Sequence, residues 1–172
     1  MRRRLTYPAL AGALYAALTM LLAPISYGAI QLRAAEALCV LPFFLPETAF
    51  GLALGCAIAN TLSAAGLPDI VFGSLATLCA GLCTAALGKA VRKSGKAPSL
   101  PRSLAAVLMP VVWNGVTVGA VLAFTLTRPA FLQGFLLMAA QVALGECAVM
   151  LLLGLPLLRA VPKLLPLHNE NK

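Results

Sequence analysis

The stretch SYGAIQLRAAEALCVLPFFLPE, residues 26–47, sets Gln31, Arg33 and Glu36 within six residues and then runs apolar into Pro42 and Pro46. Whether Ala34–Phe44 is a helix of its own decides the fold. The apolar run from Arg33 to Ala65 is too long for one helix, and "LPFFLPE" breaks it, because proline removes a backbone donor and clashes with the preceding turn. We divide it into a short helix at Ala34–Phe44 and a full one at Glu47–Ala65.

Composition gives the setting for that division. The chain has 172 residues, 61% hydrophobic and 10% charged. Soluble domains average about 45–50% apolar and about 25% charged, so this is the composition of an integral membrane protein forming a single transmembrane domain over residues 1–172. A helix needs about 20 apolar residues to cross a bilayer. Leu5–Ala23 follows "MRRR" and is uncharged; it exceeds a signal-peptide core and further spans follow, so it reads as helix one. "GLPD" turns the chain into a fourth helix over residues 69–91, with Asp69 suited to cap it. A basic linker, residues 92–102, precedes a fifth helix over 103–125. "TRP" turns the chain at Arg128 into a sixth over 130–158, and residues 167–172 form a polar tail.

Charge tests the short second helix. Cytoplasmic segments collect Lys and Arg. With six crossings, Arg2, Arg3, Arg4, Lys89, Arg92, Lys93, Lys96, Arg102, Arg159, Lys163 and Lys172 lie inside, and only Arg33 and Arg128 outside, so 11 of 13 basic residues obey the rule. If Ala34–Phe44 did not cross, the linker would move to the side opposite "MRRR". The expected architecture is therefore an all-α bundle of six membrane helices with both termini in the cytoplasm.

In that topology Gln31, Arg33 and Glu36 stand at the outer end of helix two, Asn60 in the outer half of helix three and Asp69 at the outer start of helix four. Asn114, beside Trp113, and the pair Gln141 and Glu146 lie near the middle of helices five and six. These side chains can converge on a cavity open to the outside. An ionisable residue at mid-bilayer costs about 2.5–3.5 kcal/mol on insertion scales and should face a protein interior, so Glu146 needs a partner on another helix. Each residue keeps a structural alternative: interhelical glue for Asn60, Asn114, Gln141 and Glu146, a helix cap for Asp69, an i, i+3 ion pair for Arg33 and Glu36, and packing for Trp113. Glu47 reads as a helix-terminal charge.

Ala9, Ala13 and Ala17 recur every four residues and form a ridge that another helix can approach closely. Gly51 and Gly55, and Gly115 and Gly119, repeat the device. The five cysteines all sit in apolar runs and read as packing residues. His168 is the single histidine, and no metal set is visible. No phosphate-binding glycine loop or nucleophile motif is present, and two matching halves are not evident. A small bundle with a polar outer pocket and no energy source points to a capture subunit that works with others, needs no cofactor and is not itself an enzyme.

"LAPISYGAIQLRAAEAL", "VLPFFLPE", "GCAIAN" and "LPDIVFGSLATL" resemble the QueT family, the substrate-capture S components of energy-coupling factor (ECF) transporters associated with queuosine precursors. The resemblance is strong over Tyr7–Val91 and continues through "WNG" and "QVALGECAVM" to about Leu158. It implies the six-helix S-component fold in the cell membrane and a substrate site beneath the loop after helix one. It also implies a transmembrane coupling protein and two cytoplasmic ATPases as partners, with the alanine ridge of helix one, Ala9, Ala13 and Ala17, against the coupling protein. Transport in such systems is thought to proceed by toppling of the S component. For a deazaguanine ligand, a carboxylate can accept the ring N–H and exocyclic amine together. That assigns Glu146 to the purine-like edge and Glu36 or Asp69 to a cationic arm. Asn60, Asn114 and Gln141 add hydrogen bonds, Arg33 reaches the carbonyl or holds Glu36, and Trp113 stacks. Another flat heterocyclic vitamin is the alternative ligand, and a membrane scaffold without a ligand the alternative class.

Overall fold

The computed structural model describes residues 3–28, 30–95, 98–127 and 130–164. The polar tail 167–172 with His168, the Arg128 turn, and Arg2 and Lys96 of the charge count lie outside them. The all-helical reading holds: no strand occurs among the described residues. A short helical segment, Ala23–Ser26, follows the first long helix; leaving it unnumbered, we label the longer helices in chain order. They are α1 (Arg3–Leu21), α2 (Ala34–Phe43), α3 (Thr48–Ala59), α4 (Asp69–Lys93), α5 (Leu100–Leu126) and α6 (Phe131–Pro162). The last three are long and apolar enough to cross a membrane, whereas the apolar runs of α1, α2 and α3 are shorter. Large apolar side chains stand outward on the bundle, among them Leu5, Leu54, Leu132, Leu144 and Leu152. In water such a surface drives aggregation; against lipid tails it is the expected exterior.

The short second helix is the hub. It is a 3-10 helix rather than an α-helix, ten residues long. A 3-10 helix rises about 2.0 Å per residue against 1.5 Å for an α-helix. The same ten residues therefore reach about 20 Å into the bundle. That is less than the ~30 Å of a bilayer core, but α2 does not face lipid. Ala35, Glu36, Ala37, Leu38, Cys39, Val40, Pro42 and Phe43 are all buried, so the surrounding helices fix its length. Its C-terminal end is capped by α4: the Arg92 guanidinium donates to the Phe43 carbonyl, and Gly88 has no Cβ where that carbonyl sits.

Two cores meet at α2. One joins it to α1 and α3 through Tyr15, Leu38, Cys39, Leu52 and Cys56. The other joins it to α4, α5 and α6 through Val40, Phe43, Val91, Val107, Met150 and Leu158. Small residues let the outer helices close in. Gly12 and Gly51 touch backbone to backbone, and Gly55 lies on Gly12, so α1 and α3 meet without intervening side chains. A Cβ on Gly119 would fall 2.6 Å from the Ala139 Cα, which brings α5 onto α6. The Gly51/Gly55 and Gly115/Gly119 pairs thus pack inside the bundle, whereas Ala9, Ala13 and Ala17 are all exposed. Ala9 and Ala13 flank an apolar groove of about 430 Å³ whose far wall is Phe50, Leu54 and Ile58 of α3.

Candidate functional site

Of the five acidic residues in the chain, Glu36, Asp69 and Glu146 are buried in the interior, together with Arg33, Asn60 and Asn114. If all three carboxylates are ionised, Arg33 balances one and two negative charges remain. Burying charge without compensation is costly, so the arrangement of partners matters.

Arg33 pairs with Asp69 across 36 positions of sequence, Nη2 to Oδ2 at 3.4 Å, rather than with Glu36 three residues on. Its guanidinium also lies 5.4 Å from the centre of the Tyr27 ring, within cation–π range. Glu36 is held from two sides: the Tyr15 hydroxyl donates to Oε1 and the Cys39 thiol to Oε2 at 3.1 Å. Asn60 donates to the Asp69 carbonyl at 2.9 Å. Asn114 of α5 donates to Glu146 Oε1 of α6 at 2.6 Å, which supplies the interhelical partner a membrane-buried carboxylate requires. The loop that leads to Arg33 packs its Ile30 carbonyl against Gly145, next to Glu146, so the two ends adjoin as one polar cluster.

Local backbone geometry builds this cluster. Asp69 is the first residue of α4, yet one of its carboxylate oxygens accepts from Arg33 and the other has no partner, so it does not cap the helix. The first turn of α4, Asp69–Gly73, is a π-turn, a wider form that recurs at functional sites. A Cβ on Gly73 would fall 2.6 Å from Asn60 Nδ2 and 2.7 Å from Asp69 Oδ1, so glycine makes room for both. A second π-turn, Met150–Gly154, follows Glu146 in α6. Arg33 arrives through a tight loop in which Gln31 adopts φ +48°, a left-handed conformation uncommon for a residue with a side chain. The Arg33 N–H donates to the Gln31 carbonyl.

That loop straps the site. The Ile30 carbonyl occupies the space a Cβ on Gly145 would take, one residue before Glu146. Outside the strap lies a cavity of about 290 Å³, lined by Tyr27, Gly28, Gln31, Ser63, Met138 and Gln141 among others. Tyr27 closes its base, donating to the Ala59 carbonyl. Burial lifts the Tyr27 phenol above its ordinary pKa, so it remains a neutral donor.

Among the described residues, six buried side-chain atoms have no hydrogen-bond partner: Ser26 Oγ, Arg33 Nε, Asn60 Oδ1, Asp69 Oδ1, Asn114 Oδ1 and Glu146 Oε2. Buried polar groups are otherwise paired almost without exception, and each lone one costs about 1–3 kcal/mol. Five of the six belong to the cluster just described, and four of those five are acceptors. A ligand suited to it presents several N–H donors and carries positive charge.

The sequence-derived candidates therefore divide. Arg33, Glu36, Asn60, Asp69, Asn114 and Glu146 come together in the interior. Gln31 and Gln141 line the outer cavity. Trp113 is 38% exposed although its neighbour Asn114 is 2% exposed, so the indole stands on the outward side of α5. Tyr15, Tyr27 and Cys39 join the cluster without having been singled out. Cys39 packs in the core, as its apolar run suggests, and its thiol also donates to Glu36. Among the described residues no group of side chains is arranged to hold a metal ion.

A family model described as QueT transporter matches residues 5–163. No curated protein and no solved structure matches the chain. The family match spans nearly the whole sequence, and the chain belongs to the QueT transporter family.

Proposed function

We propose, taking membership of the QueT transporter family as the premise, that the chain is the substrate-capture S component of an ECF-type importer and binds a queuosine precursor of the deazaguanine class. The observation that carries this reading is the set of four buried acceptors without partners in a cluster with more carboxylates than cations. A deazaguanine offers a ring N–H and an exocyclic amine on one edge. An aminomethyl arm adds a cation. Glu146 with Asn114 suits the first, Asp69 or Glu36 the second, and Arg33 Nε is a free donor for a carbonyl oxygen.

The rest of the proposal follows from topology. α1, α2 and α3 cross together with α4, α5 and α6, giving six crossings in the cell membrane with both termini in the cytoplasm. The basic-residue distribution supports that orientation. The cavity behind Gln31 and Gln141 then opens outward as the entry to the site. Exposed Ala9, Ala13 and Ala17 and the groove beside them supply a small-residue face for the transmembrane coupling protein, whose two ATPases drive delivery by toppling. ATP hydrolysis belongs to those partners.

Calorimetric titration of the detergent-purified chain tests the ligand. Aminomethyl-deazaguanine is expected to bind tightly, guanine weakly and riboflavin not at all. A folded, monodisperse chain that binds none of them overturns the assignment, and binding of riboflavin alone moves it to another heterocyclic vitamin.

A further inference from the structure

The three buried carboxylates differ in how their oxygens are occupied, and the difference assigns roles. Both oxygens of Glu36 already have protein donors, Tyr15 on Oε1 and Cys39 on Oε2. Asp69 and Glu146 each have one oxygen engaged, by Arg33 and by Asn114. Their second oxygens, Asp69 Oδ1 and Glu146 Oε2, are buried without a partner. Tyr15 and Cys39 are themselves fully buried and come from different helices, so they hold the Glu36 carboxylate in one orientation. Both donors are neutral and leave its charge in place. An oxygen with no donor has its full accepting capacity open to a ligand, whereas each Glu36 oxygen has already committed a lone pair to the protein. Glu36 is therefore the carboxylate held most firmly, and Asp69 and Glu146 are the ones with most left to offer.

We infer that Tyr15 and Cys39 are positioning residues that lock Glu36 as the fixed negative charge of the site, leaving Asp69 Oδ1 and Glu146 Oε2 as the carboxylate oxygens that receive the ligand's N–H groups. The inference rests on the proposed capture function and narrows it. The cationic arm is received at Asp69 within the field of Glu36, and Tyr15 acts on the ligand only through Glu36.

A double-mutant cycle in binding tests this, with aminomethyl-deazaguanine titrated calorimetrically into wild type, Tyr15→Phe, Glu36→Gln and the double variant. Tyr15→Phe keeps the ring and removes the hydroxyl. It is expected to weaken binding roughly tenfold or more, the range for a hydrogen bond to a charged group. In the Glu36→Gln background the same change is expected to cost less than about threefold, because residues acting through one another are not additive. Losses that multiply in the double variant overturn the inference, since a merely space-filling Tyr15 is independent of Glu36. Should Tyr15→Phe fail to fold, Cys39 carries the test: Cys39→Ser, which keeps a donor, is expected to bind near wild type, and Cys39→Ala several-fold more weakly. Equal affinities for the two overturn the inference. A folded wild type that binds nothing is a different result and removes the capture function itself.

Discussion

The interior cluster around Arg33, Asp69 and Glu146 and the exterior groove between α1 and α3 are both incompletely partnered, but they inform unequally. Ala9, Ala13, Phe50, Leu54 and Ile58 line an apolar groove that no other part of the chain fills. In a bilayer that costs little, because lipid tails are as apolar as the side chains they touch. Asp69 Oδ1 and Glu146 Oε2 are buried without hydrogen bonds, and in a low-dielectric interior that costs a great deal. The polar defect therefore says more about a ligand than the apolar groove says about a partner. The groove draws its meaning from family membership and from the contrast between glycines turned inward and alanines turned outward.

The sharpest way to break this comparison is at the ion pair. Asp69→Ala leaves Arg33 buried without its counter-charge. Breaking a buried pair by removing one partner costs about 3–5 kcal/mol, the largest effect expected here, read as a lowered midpoint of thermal unfolding in detergent. If Asp69→Ala unfolds like wild type, Arg33 is already solvated or paired elsewhere, and the interior is less closed than its burial indicates.

Next in size is Glu146→Gln. It keeps the volume and one carbonyl acceptor but replaces the other oxygen with a donor, which would face the ligand's own N–H. Loss of a charged hydrogen bond, about 1.5–3 kcal/mol, is expected to weaken aminomethyl-deazaguanine roughly ten- to hundredfold in calorimetry while the fold survives. Unchanged affinity would reduce the Asn114–Glu146 bond to a staple between α5 and α6.

Gly51→Ala probes the opposite region. A methyl there collides with the Pro8 carbonyl, and backbone cannot yield as a flexible side chain does. Overpacking of this kind costs about 1–3 kcal/mol in thermal unfolding, with little direct effect on ligand affinity. Gly145→Ala applies the same clash to the strap at Ile30 and is expected to show the reverse pattern: a smaller stability loss, because a loop can move aside, but faster ligand dissociation in stopped-flow fluorescence. If the two substitutions behave alike, the strap is as rigid as the helix seam and is not the route of entry.

These regions were not equally legible in the sequence. Membrane class, all-helical fold and family follow from composition, apolar run length and long specific phrases such as "GAIQLRAAEAL". The buried Arg33, Glu36, Asn60, Asp69, Asn114 and Glu146 stood out because polar residues in apolar runs are conspicuous. Tyr15 and Cys39 did not, because both are ordinary occupants of an apolar helix and only the approach of Glu36 gives their O–H and S–H a partner. Trp113 drew notice as the neighbour of Asn114, but adjacent helical residues point about 100° apart, and here one faces inward and the other out. The 3-10 form of α2 was hidden too, since run length and proline position mark where a helix ends and not its pitch.

The smallest expected effect on the chain itself belongs to Ala13→Leu, and it separates the two regions most cleanly. Ala13 is exposed on α1, on the rim of the groove, so a larger apolar side chain meets lipid rather than protein. Surface substitutions of that kind usually stay within about 0.5 kcal/mol, and Glu36 and its donors are buried beneath a different face of the helix. Thermal midpoint and ligand affinity are expected to match wild type. A partner helix that packs against small residues has no room for the added bulk, however, so co-purification with the proposed coupling protein and ATPases is expected to drop severalfold or more. Retained assembly would move the docking face away from α1 without touching the capture site; lost affinity would mean that the exposed ridge and the buried carboxylates are energetically one region after all.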